Sequence, residues 1–146
     1  DRIRWLEFRR VLFRSVKFFM EKQIKFARDN EYVTTLFGRK RYLPEINSKN
    51  SLIRVNAEHN AINTPIQGTA SDIIKIAMKN IYEKFSSINT KSSIILQVHD
   101  ELLIECPIDE VDNISNIVKN EMQSAVELYV PIIVDLKTGF SWADAH

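Results

Sequence analysis

At 146 residues, 45% of them hydrophobic, the chain is long enough to bury the core of one domain and too short for two comfortable ones. Its single cysteine, Cys106, excludes an internal disulfide and any multi-cysteine metal site, and apolar runs such as 93–98 and 130–134 fall far short of the roughly 20 residues that a membrane helix needs. The net charge of +1 conceals an asymmetry, because residues 16–99 carry 13 basic and 7 acidic groups whereas residues 100–146 carry 2 and 10. A basic front half suits a phosphate backbone, and an acidic rear half suits divalent cations or plain solvation. A soluble protein without a signal peptide is expected, and the start at Asp1 suggests that an upstream portion precedes it.

Residues 1–15 hold five of the nine arginines and no lysine, while the rest of the chain uses eleven lysines against four arginines. That switch marks the segment as a non-native remnant, with a basic amphipathic arm as the competing reading. From Val16 the apolar positions Phe19, Met20, Ile24 and Phe26 recur at helical spacing and predict a helix ending at Asp29-Asn30. Two β-prone runs, 32–37 and 41–43, flank Gly38 and predict a hairpin whose turn region, Arg39 to Arg41, is basic. Residues 45–60 read as loop giving way to helix. The strongest helical pattern covers 65–85, with Ile66, Ala70, Ile73, Ile74, Ala77, Ile81, Tyr82 and Phe85 on the face that should be core. Asn63, Gln67, Ser71 and Lys75, four apart, form a polar stripe beside it.

Further on, 93–98 and 101–106 read as two strands joined by His99-Asp100, with Pro107 ending the second. A helix over 109–128 follows, its first turn acidic where the helix dipole favours acids, and Pro131 introduces a last strand at 132–137. The order strand, strand, helix, strand predicts an α+β fold: an antiparallel sheet with helices packed on one face.

Tight two-residue turns prefer Asn-Gly or Asp-Gly, and His99-Asp100 meets that preference poorly. Either the tip is a solvated polar turn or a side chain is wanted there. The adjacent carboxylates Asp100 and Glu101 offer hard oxygens suited to Mg²⁺, yet one pair does not make a two-metal site, and the other isolated acids, Glu45, Glu58 and Asp72, have no spacing that nominates them. Asn63 and Gln67 can donate to the minor-groove acceptors shared by every base pair, which suits an enzyme that copies any template; an ordinary helix-lining amide pair is the alternative. His59 and His146 read as surface residues.

Three blocks taken together, TTLFGRKRYLP (34–44), AINTPIQGTASDIIK (61–75) and LQVHDELL (96–103), resemble family A DNA polymerases in order and spacing, and the similarity extends over 16–146. The resemblance implies a carboxy-terminal palm segment with part of the fingers connection, belonging to an incomplete polymerase domain. It implies that Asp100 binds the catalytic Mg²⁺ ions, two in a complete enzyme, with Glu101 assisting. It further implies His99 near the primer end, Asn63 and Gln67 along the minor groove, and Arg39 and Arg41 on the template or primer backbone. The partners are then primer–template DNA and dNTP, and the parent is expected to be a monomer in the cytoplasm, at the bacterial nucleoid, with organellar and phage origins as alternatives. The family's other metal-binding aspartate and its nucleotide-gripping fingers helix have no counterpart here, so the isolated chain should be inactive. His59 stands where many members carry arginine, replacing a permanent cation and putting one DNA contact in doubt. A non-catalytic DNA-binding module on the same fold and a metal hydrolase built on His99, Asp100 and Glu101 are the rival classes.

Overall fold

The computed structural model describes residues 2–145, with side-chain surroundings for 14–144; His146 lies outside the described residues. In chain order the elements are α1 (Arg2–Asn30), β1 (Tyr32–Thr34), β2 (Lys40–Tyr42), a 3₁₀ turn (Pro44–Asn47), α2 (Ser51–Ile88), β3 (Ser93–Val98), β4 (Glu101–Glu105), a second 3₁₀ turn (Ile108–Glu110), α3 (Val111–Gln123) and α4 (Trp142–Ala145). The α+β class holds: helices accompany two separate antiparallel hairpins, β1–β2 and β3–β4. The chain divides into two compact units, one ending at Thr69 and the other beginning at Ala70, so α2 contributes to both.

The first unit closes around Ala27, Val33, Leu43, Ile46, Ala57 and Ala61, all nearly or fully buried. Ala57 and Ala61, four apart on α2, present a small-residue face that lets neighbouring elements approach closely. Helix α1 stops where Glu31 takes a left-handed conformation (φ 60°), its N–H bonding the Ala27 carbonyl at 2.7 Å, while the Asn30 amide caps the Phe26 carbonyl at 2.8 Å. Glu31 then accepts the Leu43 N–H at 2.7 Å, which closes the base of the β1–β2 hairpin. An ion pair from Arg28 to Glu58 (2.6 Å) ties α1 to α2.

Gly68 marks the closest approach of that hairpin to α2. A Cβ at this position would lie 2.6 Å from Thr35 Cγ2. Thr35 is buried and β-branched, and its hydroxyl accepts the Arg39 N–H, so it has little room to yield. Gly68→Ala gains about 1 kcal/mol of helix propensity, but overpacking costs about 1–3 kcal/mol. The expected outcome is a net loss of about 1 kcal/mol, read as a lower urea midpoint; a stabilised variant would show that the contact relaxes freely.

The second unit is built on Ile81 and Phe85 of α2 and Ile114 and Val118 of α3, joined by Leu102, Ile104 and Cys106 from one face of the second hairpin. The alternation 102, 104, 106 is the period-two pattern of a strand with one covered face. Its register shifts between Ile94 and Leu96, a bulge that leaves Ile95 exposed.

Four expectations change. Helix α1 begins at Arg2 rather than Val16, no glycine or proline interrupting it. Helix α2 runs 38 residues from Ser51, so the pattern expected over 65–85 is the second part of one longer helix that carries Pro65 in its interior. Helix α3 ends at Gln123 instead of near 128. The strand expected at 132–137 does not form: each sheet among the described residues has two strands, and an extended segment without a pairing partner, with Ile133 78% exposed, is not a strand.

Candidate functional site

The nominated residues fall into two sets, one on each unit. In the first, Arg39 directly before β2 and Arg41 within it lie two apart, and both reach α2. Arg39 Nη2 donates to the Gly68 carbonyl at 3.0 Å, and Arg41 Nη1 donates to the Thr64 hydroxyl at 3.2 Å. Lys40, between them, turns the other way and stacks over the Tyr32 ring, 4.4 Å from its centroid. The hairpin is fastened a third time where Thr69 Oγ1 accepts the Leu36 N–H at 2.9 Å while donating to the Pro65 carbonyl at 2.5 Å. Gly38, at φ 82°, supplies the left-handed turn that reverses the chain between the strands.

Asn63 and Gln67 are exposed on α2, and their sequence neighbours Thr64 and Gly68 hold the two arginines. Four of the nominated residues are therefore gathered along one stretch of helix: two cationic forks and two amides that both donate and accept hydrogen bonds. His59 is exposed on the same helix.

On the second unit His99, Asp100 and Glu101 form the exposed apex of the β3–β4 hairpin. His99 has φ 54°, and Asp100 is not in the positive-φ region. A non-glycine residue there stores backbone strain of about 1 kcal/mol or more. Gln97 Nε2 donates to the His99 carbonyl at 3.0 Å, and Val98 pairs with Glu101, so the turn is held from both sides. The two carboxylates supply hard oxygen donors of the kind Mg²⁺ takes, but no group of three His, Cys, Asp or Glu side chains converges on a metal position among the described residues.

Sequence reasoning passed over the polar knot at the far end of this hairpin. Ser92 Oγ donates to Glu110 Oε2 at 2.8 Å, Thr90 donates to the same oxygen, and Thr90 Oγ1 accepts the Ser92 N–H at 3.0 Å. The Thr90 and Ser92 hydroxyls hold the Glu110 carboxyl below the usual carboxylate range, against a smaller opposing effect of burial. Burial, with the Glu110 charge adding to it, pushes the Cys106 thiol up, and its side chain packs against the core of this unit. Because folding favours ionised Glu110, its contribution is present above the ordinary glutamate pKa and is lost as pH falls through the lowered value. Glu110→Gln should flatten the acid side of the stability–pH curve below about pH 4.3; thermal melts across that range check it, and an unchanged slope would contradict it. A cavity of ≈ 250 Å³ beside this knot is lined by Tyr82, Ser86, Asn89, Thr90 and Ser93, among others, and by none of the nominated residues.

The model of DNA polymerase family A matches residues 8–144. DNA polymerase I of Caldicellulosiruptor bescii is 54% identical over 127 residues, covering 87% of this chain and 15% of that protein. DNA polymerase I of Bacillus subtilis is 46% identical over 133 residues, 91% of this chain and 15% of the relative. Among solved structures, the POL domain of Pol1 from M. smegmatis in complex with DNA primer-template and dNTP superposes with a TM-score of 0.84 at 42% identity, over 86% of this chain and 22% of that one. The chain thus spans about 15% of the length of these curated relatives. It belongs to DNA polymerase family A.

Proposed function

We propose that the chain is the carboxy-terminal palm segment, with part of the fingers connection, of an enzyme that extends a primer on a DNA template. The observation that carries this reading is the pair of exposed carboxylates, Asp100 and Glu101, at the apex of a ribbon anchored in a hydrophobic core. In the parent reaction a primer 3′-hydroxyl attacks the α-phosphate of a dNTP and pyrophosphate leaves. Asp100, assisted by Glu101, supplies oxygen ligands for Mg²⁺, which when bound neutralises charge on the reacting oxygens. Asn63 and Gln67 donate to purine N3 or pyrimidine O2 along the minor groove, a check on pair geometry that ignores sequence. Arg39 and Arg41 bind backbone phosphates, and His99 lies near the primer end. The bacterial relatives support a cytoplasmic setting, and among the described residues no helix is long and apolar enough to cross a membrane.

Two carboxylates do not complete the metal site, so the isolated chain is inactive and the missing ligand comes from an upstream segment. Residues 16–146 joined to the upstream part of a family A polymerase should extend a primer in Mg²⁺, and the chain alone should not. Extension by the isolated chain, or a joined enzyme that binds duplex DNA but never extends it, would overturn the reading.

A further inference from the structure

Four residues of α-helix advance about 6 Å, and two residues of strand advance about 6.6–6.8 Å. Arg39, just before β2, and Arg41 within it reach Gly68 and Thr64, one helical turn apart, so both tethers form side by side. The Gly68 anchor is a backbone carbonyl, which no side-chain change removes, whereas the Thr64 anchor is one hydroxyl. An arginine carries large rotamer freedom, and immobilising such a side chain on binding weakens affinity unless it is already held. One of the five guanidinium donors of Arg41 engages Thr64; phosphate recognition uses the others.

We infer that Thr64 is a positioning residue: its hydroxyl holds Arg41 in place beside Arg39, so that α2 presents two preset guanidiniums to adjacent phosphates of one DNA strand. This rests on the proposed role of Arg41 in binding DNA. Thr64 itself touches no phosphate and adds no charge. Its effect is on the entropy of Arg41, which separates it from a direct contact.

The test is fluorescence-anisotropy titration of a labelled primer–template duplex with the 146-residue chain at several salt concentrations. Arg41→Ala should weaken binding and lower the slope of log K against log salt by about 0.9, one phosphate contact. Thr64→Val, isosteric without the hydroxyl, should weaken binding about 2–10-fold with the slope unchanged. Thr64→Ser should restore affinity, and Thr64→Val should have no further effect in the Arg41→Ala background. If Arg41→Ala behaves as described but Thr64→Val binds like the unaltered chain, or weakens binding equally without Arg41, the positioning role is wrong. If the unaltered chain does not bind the duplex, or Arg41→Ala leaves the slope intact, the DNA-contact reading of Arg41 fails first and the inference with it.

Discussion

Replacing Asp100 with asparagine in a complete family A polymerase carrying residues 16–146 is expected to lower primer extension on the order of 10³-fold at saturating dNTP, with duplex binding unchanged. Asp100 lies at a solvent-facing turn, and its substitution should disturb stability by no more than about 0.5 kcal/mol, so a large loss of rate could not come from unfolding. Asparagine keeps the size and one oxygen but removes the charge that a hard dication needs. Glu101→Gln should cost less, about 10–100-fold, as befits an assisting group. Rates within threefold of the unaltered enzyme for Asp100→Asn would remove this residue from the chemistry.

The largest effect on stability is expected at Ile81. This side chain is fully buried between α2 and α3, in contact with the cluster of Phe85, Ile114 and Val118. Truncation to alanine removes three carbons' worth of contacts and leaves a cavity that two helices and a hairpin cannot easily collapse, a loss of about 2–5 kcal/mol. A domain of this size has only about 5–15 kcal/mol in total, so Ile81→Ala should bring the chain close to half-unfolded under mild urea. Ile81→Val should cost about 1 kcal/mol. Denaturation curves with unchanged slope and a shifted midpoint are the readout, and a shift worth less than about 1 kcal/mol for Ile81→Ala would show that this core is not closed as described.

Much of this was legible in the residues. The 3.6-residue periodicity located Ile74, Ala77, Ile81 and Phe85 in the buried face of α2 but wrongly included Ile66, Ala70 and Tyr82, which are exposed, and the two apolar runs joined by His99-Asp100 located the second hairpin and its turn. The poor fit of His-Asp to a tight turn has its counterpart in the positive φ of His99. Local pattern failed where the outcome depends on partners. The apolar run 132–137 has strand composition, but a strand exists only when another pairs with it. The change from loop to helix expected within 45–60 falls at Asn50, whose side chain accepts the Leu52 N–H at 3.0 Å. Of the two places that suit Pro65, a helix start and a helix interior, the second is the one it takes. The roles of Thr64 and Gly68 had no sequence signal of their own. They depend on which strand residues lie across from them, and the matched rise of strand and helix could have suggested that only once the hairpin was known to pack on α2.

Exchange of the Asp100 donor atom tests most directly whether its carboxylate binds the metal, as proposed. In the joined polymerase, Asp100→Cys replaces a hard oxygen with a soft thiolate, which favours softer ions over Mg²⁺. Primer extension should be lost in Mg²⁺ for both Asp100→Cys and Asp100→Ala, and should recover in the cysteine variant alone when Mn²⁺ or Cd²⁺ is added. Full extension by Asp100→Ala in Mg²⁺, or identical responses of the two variants to every ion, would contradict the claim.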